Sequence, residues 1–245
     1  MNRDLGYPVR LFSPTAAQTY RNDLANPIWQ EVAGFLRSSF RPDLCHGMDS
    51  KVREAFEAYP DPATFYRETD IYCYHGPAYF LEGIKRPYYA MLLLETANQD
   101  CSILDYGCGA GDDGLLFSQL GYNVSMADVE SKSLAFALWR AQRRGHWVGM
   151  YTLNVNWVIP QHTIVWCMDV LEHLPPEQHL GLLNHLSTLG KRVFINLVSD
   201  PHADGRLHYP VDVPTLTDHV RSFPFFHATD FYEGRVRILV YGEKT

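Results

Sequence analysis

The chain has 245 residues, of which 46% are hydrophobic, and its formal net charge at pH 7 is −7. This length suits one domain with a sizeable appendage, and the acidic balance argues against nucleic acid as a partner, because nucleic-acid-binding proteins usually present a basic face. No stretch approaches the roughly 18 apolar residues that a membrane span requires. The five cysteines are scattered without a C-x-x-C pair, so we expect reduced thiols and a cytoplasmic protein with no membrane partner.

The first 98 residues are predicted to form an N-terminal helical cap in front of a second region, residues 99–245. Prolines divide this segment into short helices, with breaks expected at Pro27, Pro42, residues 60–62 and Pro77. The densest feature is a polar-aromatic stretch over residues 65–75. Two interpretations are equally open: these rings form the packed core of the cap, or Tyr72, Tyr74 and His75 line a substrate pocket.

Short β-rich runs alternate with helical stretches between residues 99 and 200, which predicts parallel strands joined by right-handed crossovers. The predicted strands are 102–106, 122–127, 147–152, 163–168 and 192–198. The predicted helices begin near Asp112, Ser131 and Pro176, followed by a helix near 213–221. Two further strands, 225–232 and 236–241, are separated by a Glu-Gly pair and predict a closing hairpin.

A glycine-rich turn follows the first of these strands. Gly107, Gly109 and Gly111 form a G-x-G-x-G pattern, in which the backbone can approach a ligand closely because glycine tolerates positive φ. A dinucleotide fingerprint requires a further glycine at position 112. The chain has Asp112 and Asp113 there, and two carboxylates at a helix start repel a pyrophosphate but suit a ligand that carries an ammonium and a sulfonium.

Three segments resemble, in order, motifs of class I S-adenosylmethionine-dependent methyltransferases. Residues 105–111 are similar to the first motif, residues 124–128 to the second strand with its terminal acid, and residues 164–174 to the fourth strand and its loop in ubiquinone-biosynthesis-type enzymes. The resemblance implies an α/β, Rossmann-like, doubly wound and mostly parallel seven-stranded sheet with an antiparallel C-terminal hairpin strand. It also implies S-adenosylmethionine as cofactor and methyl transfer to an oxygen or nitrogen of a small molecule.

The same resemblance assigns residues to the cofactor. Asp128 lies 21 positions after Gly107, near the spacing at which an acid meets a ribose, and Arg86 is a candidate for the methionine carboxylate, with a surface arginine as the equal alternative. The candidate cofactor-binding residues are Asp105, Gly107, Gly109, Gly111, Asp128, Val129, Asn154, Asp169, Arg86 and Tyr72.

A base is required only if the methyl acceptor is protonated, and histidine titrates in the appropriate range. The candidate catalytic residues are His173, His208, His75 and Tyr74, with His202 as a further candidate. The Asp169-x-x-Glu172-His173 loop resembles an E-x-x-E-H loop that holds a divalent cation in some methyltransferases. Because Asp169 is one methylene shorter than glutamate, we expect no metal.

Two other functions remain open at this stage. A methyltransferase-like subunit could bind cofactor without catalysis, and a nicotinamide-dependent oxidoreductase could use a similar sheet, although Asp112 and Asp113 argue against it. We expect a monomer or a homodimer. The basic cluster of Arg140, Arg143 and Arg144 is expected to be a solvated helix face.

Overall fold

The structure, a computed structural model, describes residues 23–45, 48–96, 100–153, 155, 158–199 and 207–243. Its strands are β1 (Ser102–Tyr106), β2 (Asn123–Asp128), β3 (Gly149–Thr152), β4 (His162–Cys167), β5 (Gly190–Val198), β6 (Phe225–Phe231) and β7 (Val236–Gly242). They form one seven-stranded sheet in the order β3-β2-β1-β4-β5-β7-β6. Strand β7 is antiparallel to both β5 and β6, and the other pairs are parallel, which confirms the predicted fold class.

The α-helices within the described ranges are α1 (Pro27–Leu36), α2 (Met48–Phe56), α3 (Pro62–Glu68), α4 (Tyr72–Glu82), α5 (Arg86–Thr96), α6 (Asp112–Gln119), α7 (Lys132–Arg143), α8 (Pro176–Leu189) and α9 (Val213–Val220). The predicted helix starts at Asp112 and Pro176 are confirmed, and Ser131 caps α7 by accepting a hydrogen bond from the Leu134 amide at 3.1 Å. None of the helices in these ranges is long and apolar enough to cross a lipid bilayer.

The central strands are buried from both sides, which explains why they appear in the sequence as continuous apolar runs. Leu104 and Val165 contribute to the core on one face of the sheet, and Ile103 and Trp166 contribute to the core on the other. Helix α5 joins the second core through Tyr88 and Leu92, both fully buried. The last helix before β1 therefore packs on the sheet, while the boundary between 98 and 99 stays a prediction.

A third cluster holds the cap together and fastens it to the rest of the molecule. Trp29 and Phe65 are among its fully buried side chains, and Phe136 of α7 belongs to the same cluster. The cap is therefore packed directly on the helix that follows β2.

The expected helix break at Pro77 is wrong, because Pro77 lies inside α4. Proline at an interior position removes one backbone hydrogen bond, here the one to the Cys73 carbonyl, and costs about 3 kcal/mol. Cys73, Pro77 and Ala78 are buried, and Cys73 and Ala78 belong to the same cluster as Phe136 of α7. We attribute the continuity of α4 to this packing, which outweighs the local preference to end the helix.

Candidate cofactor and acceptor site

The glycine turn between β1 and α6 has the left-handed backbone that its sequence requires, with φ of 76° at Gly107, 52° at Gly109 and 76° at Gly111. A Cβ on Gly107 would collide with Val170 Cγ2, and one on Gly111 would lie 2.8 Å from Ala137 Cβ. A Cβ on Gly109 would meet no atom within 4 Å. The first and third glycines are thus required by packing, whereas Gly109 borders open space.

Asp128 ends β2 beside this open position. Its carboxylate accepts hydrogen bonds from the Gly109 amide at 2.5 Å and from the amide of its neighbour Val129 at 2.6 Å. Burial raises the pKa of Asp128 to about 6, although these two amides act in the opposite direction. The acid predicted to meet a ribose therefore lies at the glycine turn, and the exposed Val129 follows it.

Asp105 is directed away from the open position. Its buried carboxylate accepts the Gly114 amide of α6 at 2.8 Å. Burial and the neighbouring Asp113 raise its pKa well above the ordinary value. We infer that Asp105 joins α6 to β1.

Lys85 lies at the centre of the site, whereas its neighbour Arg86 was the residue predicted to bind the cofactor. Its ammonium lies 3.0 Å from Asp113 Oδ2 and 3.1 Å from Asp169 Oδ2. Burial alone would lower the pKa of Lys85, but the two carboxylates outweigh burial and hold the pKa well above its ordinary value. Arg86 is exposed. The position of this segment shortly before β1 predicted that one of its basic residues binds the cofactor. No local sequence signal distinguishes Lys85, which faces the site, from Arg86, which is exposed.

Both carboxylates around Lys85 have further donors. Asp113 accepts hydrogen bonds from the Tyr89 hydroxyl at 2.6 Å and the Trp166 indole at 2.8 Å. Asp169 has a positive φ of 57° and accepts the Asn196 amide group at 2.5 Å. Burial would raise the pKa of Asp169, but Lys85 and Asn196 lower it below its ordinary value. Asp169 is thus ionised and aimed at Lys85.

His173 lies in the loop after β4, next to the cap. Its Nδ1 is 2.5 Å from the Tyr66 hydroxyl and 3.2 Å from the Leu207 carbonyl oxygen. A carbonyl can only accept, so the contact with Leu207 favours the tautomer with the proton on Nδ1 and a lone pair on Nε2. Burial, together with His208, lowers the pKa of His173 to about 4. The imidazole is therefore neutral at pH 7.

Aromatic rings extend from His173 along the cap. Tyr66 packs against Tyr72 at 5.1 Å between ring centroids, Tyr72 against His75 at 5.7 Å, and His75 against Tyr79 at 6.2 Å. Lys85 lies 5.6 Å from the Tyr79 ring centre. These four rings form a continuous aromatic wall that leads from His173 to Lys85. Tyr72 and His75 were predicted to line a pocket, whereas Tyr66 and Tyr79 were not among the predicted residues.

The structure does not bring every candidate to this wall. Tyr74 is fully buried in the cap, where its hydroxyl accepts the Arg41 amide at 2.7 Å, because helical geometry turns it away from Tyr72 and His75. His208 does join the group, with its ring centroid 4.8 Å from that of His173. Asn154 and His202 lie outside the described residues.

The expected solvated face of α7 is wrong for Arg140, which is 1% exposed. Its guanidinium binds Glu31, Ala110 and Asp112. Buried carboxylates require a cation, and these carboxylates are not adjacent in sequence, so no local pattern indicated the contact. Arg143 does remain exposed.

Comparisons with known proteins agree with this geometry. A family model described as tellurite resistance protein TehB matches residues 94–197. A magnesium-protoporphyrin O-methyltransferase from Synechocystis is 29% identical over 96 residues, which are 38% of this chain and 42% of that protein. The chain thus matches less than half the length of this curated relative.

Solved structures match a larger share of the chain. Magnesium protoporphyrin IX methyltransferase (ChlM) from Synechocystis with bound SAM has a TM-score of 0.55 and 18% identity, over 97% of this chain and 100% of that one. TehB from Haemophilus influenzae has a TM-score of 0.52 and 15% identity, over 64% of this chain and 62% of that one. These likenesses establish the fold, and the family model and the curated relative agree with the resemblance to class I S-adenosylmethionine-dependent methyltransferases.

Proposed function

We propose that this protein binds S-adenosylmethionine and transfers its methyl group to a hydroxyl or amine of a small molecule. The observation that carries the proposal is the open, left-handed Gly109 with the Asp128 carboxylate hydrogen-bonded to its amide. A side chain at position 109 would fill this space, and Asp128 retains acceptor capacity for a ribose diol. A ChlM structure of the same fold contains bound SAM, which supports the assignment of this ligand.

The charges of the site suit the amino-acid end of this cofactor. Lys85 is the proposed partner of the α-carboxylate, and Asp169 that of the α-ammonium. These two groups pair with each other at 3.1 Å. The carboxylate and ammonium of a zwitterion can therefore replace this ion pair without leaving either charge uncompensated. Arg86 is no longer proposed for this role because it is exposed.

The acceptor is proposed to lie along the aromatic wall of Tyr66, Tyr72, His75 and Tyr79. When bound, S-adenosylmethionine supplies an electrophilic methyl group on a sulfonium. His173, neutral with a lone pair on Nε2, is the proposed base that takes the proton of the acceptor. Tyr66 and the Leu207 carbonyl hold the ring through Nδ1.

Calorimetry with S-adenosylhomocysteine tests the cofactor half of this proposal. We expect micromolar binding by the wild-type protein and a loss of at least tenfold in Asp128→Ala. Folded protein that binds neither S-adenosylmethionine nor its product would refute the function. NADH is the matched control ligand, because Asp112 stands where a dinucleotide-binding turn requires its third glycine.

The acceptor half is tested by transfer of an isotopically labelled methyl group to a panel of aromatic alcohols, amines and carboxylic acids. We expect hydroxyl or amine compounds to be labelled, with turnover dependent on His173. Labelling of carboxylic acids alone would contradict the role of a base, since a carboxylate is already deprotonated at pH 7. Cofactor binding without labelling of any compound would favour the non-catalytic alternative.

A further inference from the structure

A buried ion network joins the cap to the back of the glycine turn. Arg140 of α7 donates from Nε to Glu31 Oε2 at 2.9 Å, and Glu31 belongs to cap helix α1. The same guanidinium donates from Nη1 to the Ala110 carbonyl and lies close to the Asp112 carboxylate, each at 2.7 Å. One side chain therefore contacts the cap, the glycine turn and the first residue of α6.

The network balances its own charge. Arg144 donates from Nε and Nη2 to the two Glu31 oxygens, both at 2.6 Å. Two guanidinium groups thus face the carboxylates of Glu31 and Asp112. Breaking one pair in such a buried group leaves an uncompensated charge and is strongly destabilising, so the cap and the turn are held in one arrangement.

Ala110 is the residue through which this network reaches the ligand side. It lies between Gly109, which borders the open space, and Gly111, which packs on Ala137 of the same helix α7. Glycine-rich backbone has many accessible conformations. A fixed Ala110 carbonyl fixes the Ala110–Gly111 peptide plane, whose amide donates to the Cys108 carbonyl at 2.8 Å, and this contact restricts the peptide plane that carries the Gly109 amide. Arg140 acts from the protein side of the turn, opposite to the cofactor.

We propose that Arg140 is a positioning residue that couples the cap to the cofactor turn, so that cofactor binding and docking of α1 stabilise each other. The proposal rests on the proposed function, because it needs a ligand at Gly109. Coupling is reciprocal by thermodynamic necessity. A ligand that orders the turn must strengthen the attachment of α1, and a weakened attachment of α1 must lower the affinity for the ligand.

The test measures S-adenosylhomocysteine affinity by calorimetry and hydrogen exchange of residues 27–36 with and without this ligand. The variants are Arg140→Lys, which loses the planar contacts, and Glu31→Gln, which releases the cap but retains the contacts of Arg140 with the turn. Arg143→Met is the matched control, because Arg143 is an exposed residue of the same helix.

In the wild-type protein and in Arg143→Met we expect the ligand to slow exchange of residues 27–36 at least fivefold. In Arg140→Lys and Glu31→Gln we expect this protection to vanish and affinity to fall about tenfold and threefold, respectively. A merely structural role would lower stability without removing ligand-induced protection of α1. If Arg140→Lys does not fold, the same two measurements on Glu31→Gln decide.

The outcomes separate the two proposals. Wild-type protein that binds no S-adenosylhomocysteine would refute the proposed function and the coupling together. Wild-type protein that binds the ligand without protecting residues 27–36, or variants that retain both protection and affinity, would overturn the coupling alone.

Discussion

Lys85 and Asp169 form an ion pair of 3.1 Å between the segment that precedes α5 and the loop that follows β4. The pair is partly buried, and Asp169 has a positive φ of 57°. Left-handed backbone at a residue other than glycine is uncommon, and it often marks a functional position.

Lys85→Met is expected to lower the affinity for S-adenosylhomocysteine at least tenfold, because it removes the cation proposed for the α-carboxylate. Binding of 5′-methylthioadenosine, which lacks the amino-acid part, should change less than twofold, and calorimetry with both ligands measures the difference. Arg86→Met is the control, since this exposed arginine should leave both affinities unchanged. Equal losses for the two ligands would show that Lys85 supports the fold and not the carboxylate.

Gly109→Ala and Gly111→Ala should separate binding from folding. Each places an alanine at positive φ, a strain of about 1–2 kcal/mol. Gly111→Ala also places a methyl group 2.8 Å from Ala137 Cβ, and we expect a further loss of about 1–3 kcal/mol from overpacking. Gly109→Ala should be destabilised only by the strain of about 1–2 kcal/mol and remain folded, but it should lose ligand affinity, and thermal unfolding and calorimetry measure the two effects. Undiminished affinity in Gly109→Ala would mean that the ligand lies elsewhere.

The low pKa of His173, about 4, predicts a pH dependence of stability. An unfolded histidine titrates near 6.5, so between these values the unfolded chain binds the additional proton. The contribution of His173 to the free energy of unfolding is complete above pH 6.5 and decreases as the pH falls toward 4. Urea unfolding from pH 4 to 7 should therefore show a smaller acid loss in His173→Gln than in the wild type. Identical pH slopes would contradict the buried neutral state.

Asp128 should make the cofactor affinity depend on pH. Its pKa is about 6 in the folded protein, and the ionised form is the better acceptor for two ribose hydroxyls. Affinity for S-adenosylhomocysteine should therefore fall as the pH is lowered from 7 to 5. In Asp128→Asn this slope should be absent at a lower overall affinity, and calorimetry at several pH values measures it. A slope that persists in the variant would assign the titration to another group.

Tyr66→Phe and Tyr74→Phe form a matched pair within the cap. Tyr66→Phe removes the hydroxyl that contacts His173 at 2.5 Å, and we expect kcat for methyl transfer to fall about tenfold. Tyr74→Phe removes only a hydrogen bond to the Arg41 amide, which should cost about 1 kcal/mol of stability and leave kcat and KM unchanged. The result would be reversed if Tyr74, and not Tyr66, lined the acceptor site.

Most of the elements in the second part of the chain, and their order, could be predicted from the sequence. Strand β1 has the predicted bounds, Ser102–Tyr106, and helices α6 and α8 begin at the predicted Asp112 and Pro176. Such signals are local, because apolar runs, caps and prolines act on residues a few positions away. The G-x-G-x-G turn and Asp128 could also be predicted from the sequence, because the elements between them set the spacing from the turn to the acid.

The choice of the charged and aromatic side chains that face the site depends on long-range packing, and the sequence did not predict it. Lys85 and Arg86 are neighbours, as are Tyr74 and His75, yet one member of each pair points toward the aromatic wall and the other does not. Arg140 is buried because Glu31 and Asp112, distant in sequence, need a cation. A charged side chain can be buried only where folding brings oppositely charged partners to it. These partners are distant in sequence, so local sequence patterns do not predict which charged residues are buried.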